Sequence, residues 1–262
     1  MKKWKQLTGI DRILYALSVL LVAAILWYWQ TGTDNGTLNK VLLSSPENVL
    51  KSFTQLWEKG SLQKHILVSF QRVMTGFLFG AGAGIILGFI LATVPALKKL
   101  LSFLLGLIRP IPSMALFPLF ILWFGIGETS KIIVIAFVSF WPTFLNTEEG
   151  VQQADKKLLE LATVLQKGTV AKILTVILPS TIPYIFAGLR LAISRAWGGV
   201  VVAEMLAASS GVGFLIEYSR NMSQTASMFV GVLMIAIIGF ILDLILKIIE
   251  SRICYWHTGE IK

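Results

Sequence analysis

The chain has 262 residues, of which 55% are hydrophobic and only 14% are charged. Soluble domains are nearer one quarter charged, and several apolar runs here are long enough to cross a bilayer. The chain is therefore predicted to be an integral membrane protein. The formal net charge of +9 does not indicate nucleic-acid binding, because lysine and arginine cluster at the ends of apolar runs, as in the cytoplasmic loops of membrane proteins.

The first apolar run predicts a membrane anchor at residues 12–29. It follows a basic start and resembles a signal peptide, but it is long for one and ends in Trp-Tyr-Trp instead of a small-residue cleavage site. Further along, Ser45-Pro46-Glu47 is a favourable helix start. It predicts an amphipathic helix at residues 45–60, too short and too charged to span, which we place on the outer surface.

The second span is predicted at residues 65–94. Glycines recur every four residues, at Gly76, Gly80, Gly84 and Gly88. Small residues at that spacing share one face and let membrane helices approach closely. This interpretation is preferred to a phosphate-binding loop, because the run lies within a helix and has no adjacent lysine.

The third span, at residues 97–125, is interrupted by prolines at Pro110, Pro112 and Pro118. Proline removes a backbone donor and disfavours helix at the residue before it. Irregular backbone in a bilayer must be buried in protein or line a cavity. The break is thus a candidate for pathway lining or gating, with a merely kinked helix as the alternative. The glycine-containing residues 125–131 predict a turn, since they lack the spacing of a nucleotide-binding loop.

The remaining spans are predicted at residues 131–146, from Pro179 or Pro183 to 206, and 226–249. A charged segment at residues 148–172 separates the fourth span from the fifth. Six spans place both termini on one side, and the distribution of lysine and arginine places that side in the cytoplasm. One all-α membrane domain covering residues 1–262 follows, with core helices within residues 65–249 and a cytoplasmic loop between spans four and five.

That loop contains an amphipathic helix with one apolar face at helical spacing. The face consists of Leu158, Leu159, Ala162 and Leu165. Two interpretations fit this pattern: a helix resting on lipid headgroups, or a helix that fits a groove on a soluble subunit.

The loop resembles the coupling loop of bacterial ABC-importer permeases, whose motif is Glu-Ala-Ala, a glycine, and Ile-x-Leu-Pro. Glu160-Leu161-Ala162 matches the start with one change, and Val176-Ile177-Leu178-Pro179 matches the end with the isoleucine one residue late. The usual glycine falls at Gln166, two positions before Gly168. Arg109-Pro-Ile-Pro-Ser, residues 118–131 and residues 189–197 resemble the nitrate, taurine and aliphatic-sulfonate branch, so the resemblance covers nearly the whole chain.

The resemblance implies a type I importer permease: a homodimer of six-helix subunits with two cytoplasmic ATP-binding subunits and an extracytoplasmic solute-binding protein. It implies a multi-pass protein of the bacterial inner membrane that imports a small solute, such as a sulfonate, a nitrate-like anion or a related organic compound. ATP and magnesium would be on the partner ATPase, since this chain has no phosphate-binding loop. The coupling residues implied within residues 148–178 are Leu158, Leu159, Glu160, Ala162, Leu165 and Gly168.

Charged residues inside spans usually face a cavity or a partner. Two interpretations are open: Arg190 or Arg195 offers transient attraction to an anionic substrate, with Trp197 as a lining ring, or these arginines pair within the subunit, which is the preferred interpretation. Arg109 paired with Asp243 or Glu204 is one such possibility. The candidate pathway residues are Arg109, Pro110, Pro112, Arg190, Arg195, Trp197 and Glu204.

The alternative function is an ion-coupled secondary transporter, which would favour inverted repeats with broken helices in both halves. Only one span is clearly broken in the sequence. A membrane-embedded enzyme is disfavoured, because His65 and His257 lie at helix ends and no metal-ligand cluster is present. The single cysteine, Cys254, is interpreted as a small interfacial thiol.

Overall fold

The computed structural model describes residues 9–36 and 43–255, with residues 9–16, 19 and 26 described as backbone only. The basic N-terminal start and His257 lie outside this part of the chain. Helices in order are α1 (Gly9–Asp34), α2 (Pro46–Glu58), α3 (Ser61–Thr93), α4 (Pro95–Ile108), α5 (Phe117–Phe124), α6 (Glu128–Gln152), α7 (Lys156–Val164), α8 (Thr169–Lys172), α9 (Leu178–Ala207), α10 (Val212–Asn221) and α11 (Thr225–Ile253).

Among the described residues, four helical segments are long and apolar enough to cross a membrane: Ser61–Thr93, Glu128–Gln152, Thr169–Ala207 and Thr225–Ile253. Helices α4 and α5 form a pair bent by 82°, which makes a fifth crossing if the pair is one broken span. The predicted break at the prolines is therefore confirmed. Helix α1 is present where the anchor was predicted, but its status as a sixth crossing stays a prediction.

The chain divides into two compact units. The first contains Met1–Leu62 and Leu215–Val232. In it, the Ser45 side chain caps α2 by accepting from the Asn48 amide at 3.4 Å, as the sequence predicts. Ser52 and Ser227 share a hydrogen bond of 2.9 Å, which ties α2 to the start of α11.

The second unit contains Gln63–Phe214 and Leu233–Lys262. Its core joins α3, α6 and α9 through a buried cluster: Val73, Phe77, Ala81, Ile135, Ala192, Ile193, Ala196, Trp197 and Val200. Lipid is as apolar as leucine, so close packing and polar contacts decide how membrane helices associate.

The glycine stripe of α3 supplies that close packing. A β-carbon at Gly80 would overlap the carbonyl of Ala136, and one at Gly88 would lie 2.6 Å from the Phe144 carbonyl oxygen. Gly76 and Gly84 meet α6 in the same way. The prediction of a glycine face for tight helix packing is confirmed, and the matching order of contacts shows that α3 and α6 run parallel.

Several helix boundaries differ from the predicted ones. Helix α6 extends to Gln152, beyond the predicted end at residue 146. Pro183 lies inside α9, which begins at Leu178, so Pro179 and not Pro183 marks the start of this helix. The predicted Gly/Ser loop before the last span contains α10, whose buried Val212, Leu215 and Ile216 lie on one face. That periodicity is a signal that the sequence analysis missed.

Candidate functional site

The predicted cytoplasmic loop forms a short helix with well-defined ends. Asp155 begins α7 by accepting a hydrogen bond from the Lys157 amide at 2.8 Å. At the other end, the Lys167 amide donates to the Ala162 carbonyl at 3.0 Å and the Gln166 amide donates to Thr163 at 2.9 Å. This pair of bonds is the Schellman closure, which places the donor of the shorter bond in the left-handed region and favours glycine there.

Gln166 occupies that left-handed position, with φ of +56°. It is the position where the resembling motif has its usual glycine. Gly168, in contrast, has φ of −64° and begins α8. The turn therefore keeps its shape without the glycine, at the expense of strain at a residue with a side chain.

The surface of α7 divides its apolar residues into two groups. Ala162 is only 4% exposed and packs against its own chain, with Leu159 half-buried beside it. Large apolar side chains that stay exposed are Leu158 at 47%, Leu161 at 54%, Val164 at 78% and Leu165 at 61%. Glu160 and Gly168 are also exposed.

The assignment of Ala162 to a partner groove is therefore wrong, because its side chain is already buried. Leu161 and Val164 were missed, although their spacing of three residues is helical. The amphipathic pattern was read as a single apolar face. In the structure, the chain's own residues cover Ala162, whereas the neighbouring Leu161 and Val164 are exposed.

Helix α7 is linked to α9 by a nearly continuous helical path. Lys172 donates from Nζ to the Thr163 hydroxyl at 2.9 Å, across the turn between α7 and α8. Helix α8 continues through a π-helical turn at Ile173–Ile177 directly into α9. A displacement of α7 can therefore be carried along this path into a membrane-crossing helix.

Glu204, predicted to line a pathway, is instead part of a buried cluster. It is 1% exposed and accepts from Arg72 Nη1 at 2.7 Å, from the Ser69 hydroxyl at 2.7 Å and from the Gly213 amide at 2.9 Å. Arg72 also donates to both carboxylate oxygens of Glu128, at 2.6 and 2.7 Å. In this structure the Glu204 oxygens are occupied inside the chain, and the assignment of Glu204 to a pathway stays a prediction.

Arg72 and Glu128 were not recognised as functional candidates. The available signal was that an arginine within an apolar run requires an acidic partner. Glu204 had been singled out, but the separation of 132 positions along the chain hides its pairing with Arg72 from sequence patterns.

Arg190 pairs within the subunit, as the alternative interpretation had it. Its guanidinium donates to both carboxylate oxygens of Asp243, at 2.9 and 3.2 Å, and to Glu250 at 3.4 Å. Two carboxylates surround one cation, so the local charge does not favour an incoming anion. The suggested pairing of Arg109 with Asp243 or Glu204 is wrong, since other arginines hold both acids.

The other pathway candidates differ in burial: Trp197 is buried, and the rest are exposed. Trp197 is 3% exposed and donates from Nε1 to the Ile235 carbonyl at 2.9 Å, so its side chain is packed inside the chain in this structure, and its assignment as a lining ring stays a prediction. Pro110 and Pro112 lie exposed at the bend between α4 and α5. Arg109 and Arg195 are exposed, and within the described residues neither forms an ion pair.

Comparison with known proteins assigns this architecture to a family. Residues 80–255 match the family described as binding-protein-dependent transport system inner membrane component. The chain is 37% identical over 251 residues to a protein of Bacillus subtilis (strain 168) provisionally named an aliphatic sulfonates transport permease, covering 96% of this chain and 91% of that one. It is 31% identical over 251 residues to the taurine transport system permease protein of Escherichia coli (strain K12), covering 94% and 91%.

Solved structures show the same fold. The inward-facing MetNI methionine ABC transporter aligns with a TM-score of 0.66 at 14% identity, over 76% of this chain and 98% of that one. The family match also decides between the two predicted modes of transport, against the ion-coupled secondary transporter. The chain belongs to the binding-protein-dependent transport system inner membrane components, the non-catalytic permease subunits of ABC importers.

Proposed function

We propose that this permease carries a small oxyanion-bearing solute of the sulfonate, taurine or nitrate kind into the cytoplasm. Two copies form the pathway, an extracytoplasmic binding protein delivers the solute, and two cytoplasmic subunits bind ATP with magnesium. Helix α1, with 26 residues, is about 39 Å long. That length exceeds the hydrocarbon core of about 30 Å, which supports a sixth crossing and cytoplasmic termini in the bacterial inner membrane.

The observation that carries this proposal is the uncovered apolar group on α7. Val164 is the last residue of the nine-residue helix α7 and Leu165 follows it; they are 78% and 61% exposed, and α7 also carries Lys156, Lys157 and Glu160. Such a mixed surface suits the groove of a soluble subunit, where apolar anchors are buried and charges lie at the rim. In this assignment the anchors are Leu158, Leu161, Val164 and Leu165, and Ala162 fixes the helix to its own chain.

The helical path from α7 through α8 into α9 supports a mechanism in which movement of the ATP-binding subunits is transmitted to a membrane-crossing helix. ATP must have different affinities for the two states of the transporter if it is to shift their populations. A rigid link from the docked helix to a membrane-crossing helix converts closure of the ATP-binding subunits into a tilt of α9. The hydrogen bond between Lys172 and Thr163 stiffens the only non-helical part of this link.

Two observations support an anionic solute: the names of the relatives, and the exposed side chains of Arg109 and Arg195. Relatives are named for aliphatic sulfonates, taurine and, in Synechococcus elongatus, nitrate import. Arg109 and Arg195 are exposed cations without a carboxylate partner among the described residues. These two residues, rather than Arg190, are the pathway candidates that we retain for attracting an anion.

The decisive experiment places a charge in the uncovered group. Val164→Glu in the reconstituted transporter is expected to reduce solute-stimulated ATP hydrolysis and uptake at least about tenfold, because burying an unpaired carboxylate in an apolar groove is costly. The matched control is Gln153→Glu, which adds the same charge to an exposed position of the same loop. Equal activity of both variants in membranes that contain equal amounts of permease would remove the docking assignment.

A further inference from the structure

A cavity of about 170 Å³ lies where α4 faces α6, beside the bend of the broken span. Its polar lining residues are Lys98, Ser102, Arg109, Trp141 and Glu148. Apolar side chains, among them Leu105 and Phe144, form the rest of the wall. The volume is large compared with that of a single water molecule, so the cavity can hold a group of several heavy atoms.

The charges that line this cavity do not cancel. Lys98 pairs with Glu148 at 2.6 Å. Arg109 has no carboxylate partner among the described residues, and its guanidinium therefore leaves one net positive charge at the cavity. A guanidinium is a planar, weakly hydrated donor that matches the geometry of an oxyanion.

Trp141 adds a second, independent observation. Its ring lines the cavity, its side chain is 8% exposed, and its Nε1 donor is buried without a hydrogen-bond partner in the described part of the chain. Buried donors in folded proteins are nearly always paired, so an orphaned one indicates a missing acceptor. The unpaired Arg109 cation calls for an acceptor-rich, negatively charged group in the cavity, and the buried Trp141 donor adds an unsatisfied polar group beside its wall.

We propose that this cavity is a binding site for an oxyanion, held by Arg109, with the Trp141 side chain as part of its wall. The anion is either the sulfonate-like or nitrate-like solute or the phosphate of an anionic lipid headgroup, and the apolar wall takes the attached alkyl portion. The first source deepens the proposed function and rests on it. The Lys98–Glu148 pair forms one boundary of the site.

The test measures the local potential directly and needs no transport. Ser102 lines the cavity and is exposed, so Ser102→Cys in a Cys254→Ser background provides a reporter thiol. The assembled transporter is placed in phosphatidylcholine nanodiscs and treated with methanethiosulfonate reagents of equal size, one with an ethylsulfonate and one with an ethyltrimethylammonium group. After each rate is divided by the rate of the same reagent with free 2-mercaptoethanol, the anionic reagent is expected to react at least about threefold faster than the cationic one, as one uncompensated charge at close range implies.

Arg109→Gln should abolish this preference, while Arg252→Gln should keep it, because Arg252 is exposed at the end of α11 and does not line the cavity. Protection of the thiol by ethanesulfonate identifies a soluble anion, and protection only in nanodiscs with phosphatidylglycerol identifies a lipid headgroup. An absent preference, a preference that survives Arg109→Gln, or a thiol that reacts with neither reagent would overturn the site. None of these results depends on whether the transporter carries sulfonates.

Discussion

The packed interior of α3, α6 and α9 differs from the segment around α7 in how far its side chains are buried and paired within the chain. In the interior, Glu204 is 1% exposed and has its oxygens occupied by three donor groups. On α7, Val164 is 78% exposed with no apolar cover, and Gln166 is held in a left-handed conformation. The polar groups of the interior are satisfied within one chain, whereas in the proposed function the exposed apolar residues of the α7 segment are covered by an ATP-binding subunit. Substitutions should therefore affect stability in the first region and coupling in the second.

The largest expected effect is the loss of Arg72. Arg72→Met removes the cation that pairs with Glu204 and leaves a buried carboxylate without its partner. Breaking a buried pair in this way costs about 3–5 kcal/mol, which should be measurable as reduced resistance of the purified permease to unfolding in detergent mixtures.

The double variant Arg72→Met/Glu204→Gln sharpens this expectation. It removes both buried charges, so it should recover a large part of the lost stability, and a double-mutant cycle gives the coupling energy. If the single and double variants unfold alike, the cluster is held by its neutral hydrogen bonds and the comparison loses its main support.

A second, smaller effect is expected from the glycine face. Gly80→Ala would place a methyl group against the Ala136 carbonyl, so α3 and α6 must move apart. Overpacking of this kind costs about 1–3 kcal/mol. The matched control is Gly82→Ala on the same helix, where a β-carbon meets nothing within 4 Å. Gly82→Ala should be neutral or slightly stabilising in the same unfolding assay, because alanine is the better helix former.

Local signals predicted much of the fold. Apolar run length gave the crossing helices, proline gave the break between α4 and α5, and the four-residue glycine spacing gave the α3–α6 contact. The cap at Ser45 was also readable, because a side-chain oxygen and the following proline fix a helix start. Each of these features depends on neighbours within one or two turns.

The parts that could not be predicted depend on distant partners. Glu204 was singled out, but its contact with Arg72 is formed only when α3 and α9 pack. Ala162 and Val164 lie two residues apart on α7, and which of them is buried depends on where the rest of the chain lies. Sequence periodicity identifies an amphipathic helix, but it does not say which part of the apolar arc its own chain will cover.

Within the α7 segment, Gln166→Gly should stabilise the turn. A residue with a β-carbon in the left-handed region costs about 1–2 kcal/mol, and part of this is offset because glycine also loosens the unfolded chain. We expect a net gain of up to about 1 kcal/mol, visible as slower local hydrogen exchange at the Lys167 amide. Gly168→Ala is the control, because Gly168 has φ of −64° and open space around it. Equal protection in both variants would show that the turn is not strained.

The smallest effect on stability is expected at Arg190. This residue tests how strongly burial determines the free energy lost when an ion pair is broken. The side chains of Arg72 and Glu204 are 4% and 0% exposed, whereas those of Arg190 and Asp243 are 33% and 40% exposed. Solvent screens such a pair, so Arg190→Gln should cost less than about 1 kcal/mol, and less still at high salt. Uptake of the anionic solute should be nearly unchanged, since Asp243 and Glu250 already neutralise the cation. A marked fall in uptake without a change in stability would instead return Arg190 to the pathway, and Arg195→Gln, at an exposed arginine on the same helix, would show whether the two act alike.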